Sequence, residues 1–129
     1  MSFFKNIFNS SDDANSNENK IIWNQLTNLA QLNEITIISN EKPVAIFKHS
    51  TRCSISRMAL KQFENEFNSS DKVTPYFLDL IAHRDISNEI ATRFGVHHQS
   101  PQLILIKEGK AIYNVSHSDI DAEELGRKV

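Results

Sequence analysis

The chain predicts an α/β domain with a mixed central β-sheet and helices on both faces. Three observations lead there. Strand-like runs alternate with segments of helical period through the middle of the chain. The last two strand-like runs are joined by Glu108-Gly109, a short-range hairpin signal. The chain has 129 residues, 40% of them hydrophobic, enough for one core without disulfide staples.

Taken in order, "IIWNQL" from Ile21 reads as a short strand. "TNLAQLNEITIIS" carries Leu29, Leu32, Ile35 and Ile38 at helical spacing, with Thr27 or Asn28 as a cap. Its β-branched "ITII" favours a strand by propensity, but the period runs through the whole segment and predicts a helix to about Ser39. "PVAIFK", Pro43 to Lys48, is an apolar run opened by proline and predicts a buried strand. A helix from Cys53 to about Asn68 follows, with Met58, Leu60, Phe63 and Phe67 as its apolar positions. "VTPYFLDLI" is the next strand. Pro75 has no N–H to donate, so it belongs at that strand's start, an edge or a bulge.

"DISNEIATRFGV" predicts a helix with Asp85 at the N-cap, a stripe of Ile86, Ile90 and Phe94, and Gly95 in the left-handed position that ends it. "QLILIKEGKAIYNV" predicts the hairpin. A closing helix is expected from Ser118, with Asp121 in a capping-box-like place. The domain is expected to span residues 21–129. Residues 9–20, "NSSDDANSNENK", are too polar to offset their ordering entropy, so residues 1–20 are expected to be a partly disordered tail. Within it, "FFKNIF" places Phe4 and Phe8 on one helical face. That segment is read as a short helix or frayed end, with a docking or membrane-touching role as the alternative.

The totals exclude several function classes. Charged residues make up 23% and the net charge is −2, so no bulk electrostatic case exists for nucleic acid or an anionic membrane. No apolar run approaches the ~20 residues of a membrane span. The N-terminal segment lacks the apolar h-region and cleavage site of a secretory signal. With one cysteine, the reading is a cytoplasmic protein.

That cysteine, Cys53, carries the chemistry. In "FKHSTRCSIS" it follows a buried strand and opens a helix. The first-turn N–H groups of a helix lack internal acceptors, and the helix dipole places positive charge there, so a thiolate is stabilised at that spot. Lys48, His49, Arg52 and Arg57 form a basic collar around it. The competing reading is a small buried hydrophobe, but the neighbours are polar on both sides. Ser56 lies three residues on and shares the helix face. Its hydroxyl can donate to the thiolate but cannot form a disulfide. With no resolving thiol, Cys53 can still take a small thiol from a mixed disulfide and be released by a second one.

"PVAIFKHSTRCSIS", "FGVHHQSPQLILIKEGK" and "VSHSDI" together resemble the YtxJ-type monothiol bacilliredoxins of the bacillithiol system, which have a thioredoxin-like fold. The resemblance covers about residues 21 to 129. It implies that Cys53 accepts bacillithiol from S-bacillithiolated proteins. It implies that Pro101 is a cis-proline beside that cysteine, and that Ser100 pairs its backbone with the substrate. Lys48, His49, Arg52 and Arg57 then become anion partners for the carboxylates of bacillithiol, the thiol co-substrate. Ser54 stands where the family often has proline. A monomer or weak dimer is expected.

His117 is read as a contact at the start of the last helix. His97 and His98, with His49 and Cys53, match no standard zinc spacing, so no metal is expected. Three alternatives stand beside the exchange reading. One is a monothiol protein sharing a [2Fe–2S] cluster between subunits. Another is a peroxide reductase, opposed by Ile46 where that motif has proline. The third is a non-catalytic binding module on the same fold.

Overall fold

Val44–His49 is buried along its whole length because it is the middle strand of five. The computed structural model describes residues 21–129. Its elements are β1 (Asn24–Gln25), α1 (Ala30–Ile38), β2 (Val44–His49), α2 (Ser54–Glu66), β3 (Thr74–Asp79), α3 (Arg84–Phe94), β4 (Gln102–Lys107), β5 (Lys110–Ser116), a 3₁₀ turn (His117–Asp119) and α4 (Ala122–Lys128). The sheet order is β1-β3-β2-β4-β5. β3 runs parallel to β1 and β2, whereas β4 runs antiparallel to both of its neighbours, β2 and β5, so the sheet is mixed.

Alternation along β2 sorts the core into two halves. Val44 and Ile46 pack with Leu32 and Ile35 of α1 and Ile86 and Ile90 of α3. Ala45 and Phe47 pack with Phe63 of α2, Phe67 just after it, and Ala122 and Leu125 of α4. Each large apolar side chain taken fully out of water contributes roughly 1.5–3 kcal/mol. Both halves must form for β2 to be covered on its two faces.

Local chemistry explains most boundaries. The N-cap position of α1 falls on Leu29, not on Thr27 or Asn28, but Asn28 one residue earlier still accepts the first-turn Ala30 N–H through Oδ1 at 2.8 Å. The β-branched run stays helical because Leu32 and Ile35 are buried together on the sheet. The carbonyl of Pro75 accepts from Asn24 Nδ2 at 3.0 Å, so the side of Pro75 that lacks an N–H faces β1. β1 pairs only with Tyr76 and Phe77, so no ladder bond is lost at Pro75. Gly95 sits at φ +65° and ends α3. Glu108 and Gly109, both at positive φ, make the hairpin turn.

Several boundaries differ from expectation. The first strand shrinks to Asn24–Gln25, because Trp23 turns back onto α2. Its ring lies 6.0 Å from those of Phe47 and Phe63, and its Nε1 donates to Glu64 Oε2 at 2.7 Å. In α2, Met58 points outward and is 71% exposed, so it is no core position. Asp85 is not the cap of α3. His83 holds that position, and Asp85 lies in the first turn, accepting the Ile86 N–H. Asp121, not Ser118, caps the last helix, accepting from the N–H groups of Glu123 at 2.9 Å and Glu124 at 3.4 Å. Ser118 belongs to the preceding 3₁₀ turn. The tail reading, with Phe4, Ile7 and Phe8, lies outside the described residues.

Candidate functional site

Cys53 is the N-cap of α2, in extended conformation, and is half-buried. β2 delivers the chain to this point and the turn Ser50–Cys53 redirects it, with the Cys53 N–H donating to the Ser50 carbonyl at 3.2 Å. Its side chain makes no capping bond to the helix, so the sulfur stands at the positive end of α2 uncommitted. The placement matches the sequence expectation within one residue: the helix proper begins at Ser54.

Ser56 is fully buried, and its hydroxyl is already engaged. Oγ accepts the Ser50 N–H at 3.1 Å and lies 2.8 Å from His49 Nδ1. No hydrogen bond joins Ser56 Oγ to the Cys53 sulfur in this structure, so the expected donation to Cys53 is not formed here. Instead Ser56 ties the turn before the cysteine to the helix after it.

The basic collar is smaller than its sequence. Arg52 and Arg57 are exposed, and Arg57 Nη1 donates to the Thr51 carbonyl at 3.3 Å, bracing the turn. Lys48 and His49 are not on the surface, which corrects their expected place among the exposed anion partners. Both belong to β2, the central strand, and alternation turns them to opposite faces. Lys48 is fully buried, with Nζ 2.7 Å from His98 Nδ1. Burial lowers its pKa to about 8. Burial also holds His49 below the ordinary histidine range; the Arg57 charge pushes the same way, and Asp79 and Glu64 oppose it. His98 is lowered by burial too, and by the charge of Lys48. A bare Nδ1 on His98 is what an ammonium donor requires.

The Ser100–Pro101 peptide is cis, as the sequence resemblance implies. Lys48 pairs with Gln102 across the antiparallel ladder, so Pro101 reaches the carboxyl end of β2, where the turn to Cys53 begins. Three hydrogen bonds hold this loop. Gln102 is fully buried; its Nε2 donates to the His97 carbonyl at 3.0 Å and its Oε1 accepts from the Gln99 N–H at 3.3 Å. The His117 N–H donates to the Pro101 carbonyl at 3.1 Å. Ser100 Oγ is buried without a hydrogen-bond partner among the described residues.

A shallow, mostly apolar cleft runs along α2, lined by Ile55, Met58, Ala59 and Gln62 with His117, Ser118 and Ile120. His117 was read as a contact at the start of the last helix in preference to a place near the active face. It lies on the site face instead, at φ +56°, an unusual backbone for a residue other than glycine. Gln102 and Ser50 lie in the quoted motifs but were not expected to be site residues: their roles are fixed by buried hydrogen bonds that only the folded chain brings together. No group of three or more His, Cys, Asp or Glu among the described residues is placed to hold a metal. The Nδ1 of His98, one of the candidate nitrogens, is taken by Lys48.

A mixed five-stranded sheet, a thiol at the start of the helix after its central strand, and a cis-proline at the same end define the thioredoxin fold and a thiol–disulfide oxidoreductase. The model of the monothiol bacilliredoxin family BrxC matches residues 24–125, and the chain belongs to that family. It is 33% identical to a solved protein described only as a candidate oxidoreductase with a thioredoxin fold. That match covers 80% of this chain and 89% of the other, at a TM-score of 0.68. Thioredoxin from Malassezia sympodialis shares the fold at 24% identity and TM-score 0.62, covering 83% of this chain and 87% of its own. Mitochondrial thioredoxin 3 from Saccharomyces cerevisiae does so at 21% identity and TM-score 0.62, covering 82% and 93%. The family places the activity in the chemistry of low-molecular-weight thiols and protein thiols. No helix among the described residues is long and apolar enough to cross a membrane.

Proposed function

We propose that this chain removes bacillithiol from S-bacillithiolated proteins in the cytoplasm, and that Cys53 carries the exchange alone. The observation that carries the reading is the lone thiol uncommitted at the N-terminus of α2, with a buried serine, not a second thiol, three residues on. The Cys53 thiolate attacks the bacillithiol sulfur of the mixed disulfide. That S–S bond breaks, a new one forms between Cys53 and bacillithiol, and the client thiolate leaves and takes a proton from water. A second small thiolate then attacks the bacillithiol sulfur and frees Cys53 as thiolate. One disulfide is exchanged at each step, with no net oxidation.

Arg52 and Arg57 are the cations exposed beside the sulfur, and they suit the carboxylates of bacillithiol. Lys48 and His49 act on this step only from within the core. Ser100 offers its backbone to the client beside Pro101. The test is a purified S-bacillithiolated client incubated with the chain and free bacillithiol. Wild type should return the client to its unmodified mass, and Cys53→Ser should leave it modified. Equal recovery with both would overturn the proposal.

A further inference from the structure

His49 and Ser56 form a buried pair that thiol exchange by Cys53 does not by itself require. The valence of the serine hydroxyl makes the pair informative. A hydroxyl has one proton to give and two lone pairs to receive with. Ser56 Oγ already receives the Ser50 N–H at 3.1 Å. Its contact with His49 Nδ1, at 2.8 Å, needs one proton between the two atoms. If Nδ1 is bare, Ser56 spends its only proton on His49. If Nδ1 carries a proton, Ser56 receives both bonds and its own proton is free.

The free proton has one destination of interest. Cys53 caps α2 and Ser56 is the third residue of the helix, so their side chains share the first turn, and the sulfur has no capping bond of its own. We infer that His49 is a positioning residue for Cys53: a proton on its Nδ1 turns the Ser56 hydroxyl toward the sulfur, and a bare Nδ1 turns it away. The inference rests on Cys53 being the exchanging thiol.

The ionisation step balances. The two side chains are not hydrogen-bonded in this structure, so the Cys53 side chain first rotates to bring Sγ against Ser56 Oγ; the S–H bond then breaks and its proton passes to Ser56 Oγ. The Ser56 proton passes to His49 Nδ1, and the Nε2 proton passes to water. The thiolate is left accepting the Ser56 O–H, and His49 remains neutral. Nε2 has a route to water: among the described residues it has no hydrogen-bond partner, and Ser100 Oγ is the sole buried side-chain nitrogen or oxygen lacking one, so Nε2 is open to solvent. The groups facing the imidazole are Asp79 and Phe77 of β3 and Arg57 and Glu64 of α2. None of them bonds to Nδ1, so among the described residues Ser56 alone reads its proton.

The experiment is the pH profile of Cys53 alkylation by iodoacetamide in the full chain, with Trp23 fluorescence confirming the fold. Wild type should give a profile broader than a single ionisation, because His49 gains its proton on the acid side and supports the thiolate there. Ser56→Ala, His49→Phe and His49→Asn should each collapse it to one ionisation. Ser56→Ala should also slow alkylation at neutral pH about tenfold, the scale of one hydrogen bond to a charged group. The Ser56→Ala/His49→Phe double variant should be no slower than the slower single. An unchanged profile in Ser56→Ala, or additive losses, would overturn the inference.

A second measurement needs no substitution in the pair. The ¹⁵N shifts of His49 should report a protonated Nδ1 beside the thiolate and a bare Nδ1 after alkylation. The same tautomer before and after would count against it. Bacillithiol uptake by Cys53 with an unaltered alkylation profile sinks this inference and leaves the exchange standing. The altered profile without uptake does the reverse.

Discussion

Lys48 and His49 are neighbours on one strand, yet they serve opposite faces of the sheet. His49 faces α2 and meets Ser56 and, through it, the Ser50 amide, so it holds the turn that presents Cys53. Lys48 faces α3 and meets His98, so it holds the loop that carries Ser100 and Pro101. Ser87 of α3 adds a contact to the same His98 nitrogen at 3.4 Å. Each half of the site is thus anchored to the end of β2 by a buried basic residue. The two anchors differ in cost. His49 is neutral at neutral pH and its burial is inexpensive. Lys48, with its pKa at about 8, is still mostly charged there, and no carboxylate among the described residues forms an ion pair with it. A buried ammonium satisfied by one imidazole nitrogen is a stability deficit kept at the site.

The comparison can be broken at either anchor. The largest expected effect comes from Cys53→Ser, which removes the thiol proposed as the nucleophile, flanked by both anchors. Exchange should fall to background in a client-recovery assay while the urea midpoint stays near wild type.

Next is Lys48→Met, which replaces a buried cation by a flexible apolar chain. It should raise stability at neutral pH by about 2 kcal/mol, read by urea unfolding. The pH dependence has a definite sign. The folded pKa lies below the unfolded value of 10.5, so the unfolded chain binds more protons between about 8 and 10.5. Wild-type stability should therefore carry the full penalty below about 8, rise as pH climbs to 10.5, and level off above it. Lys48→Met should remove this rise. A destabilised Lys48→Met protein with the rise intact would show that the anchor, not the charge, dominates.

On the other face, Ser56→Ala takes the acceptor from the buried Ser50 amide. It should cost about 1–2 kcal/mol, with no change in the slope of stability between pH 8 and 10.5. A change in that slope would mean the two anchors are coupled through β2.

The smallest effect is a control far from both. Asp121→Ala removes the cap of α4 and should cost about 1 kcal/mol, leaving the Cys53 alkylation rate as in wild type.

How legible these features were in the chain follows from their range. The α1 period, the Gly95 stop and the Glu108-Gly109 turn are local, and they were readable from neighbouring residues. The helix start at Cys53 was readable within a residue, since a buried strand and a polar turn precede it. Asp121 was seen but placed one motif too late, because "SHSD" offers several capping residues and only the 3₁₀ turn decides among them. The cis peptide at Pro101 was reached by resemblance alone: nothing in "HHQSPQ" separates cis from trans. The burial of Lys48 was not readable. A lysine at a strand's end reads as solvent-facing, and the cover that α3 and His98 provide is assembled from residues 36 and more positions away.

The most direct test of Cys53 as sole carrier is the intact mass of this chain after brief exposure to an S-bacillithiolated protein without free bacillithiol. One bacillithiol adduct should appear on the chain, map to Cys53, and match one-for-one the adduct lost from the client. An unmodified chain beside an unchanged client, or an adduct that persists in Cys53→Ser, would contradict it.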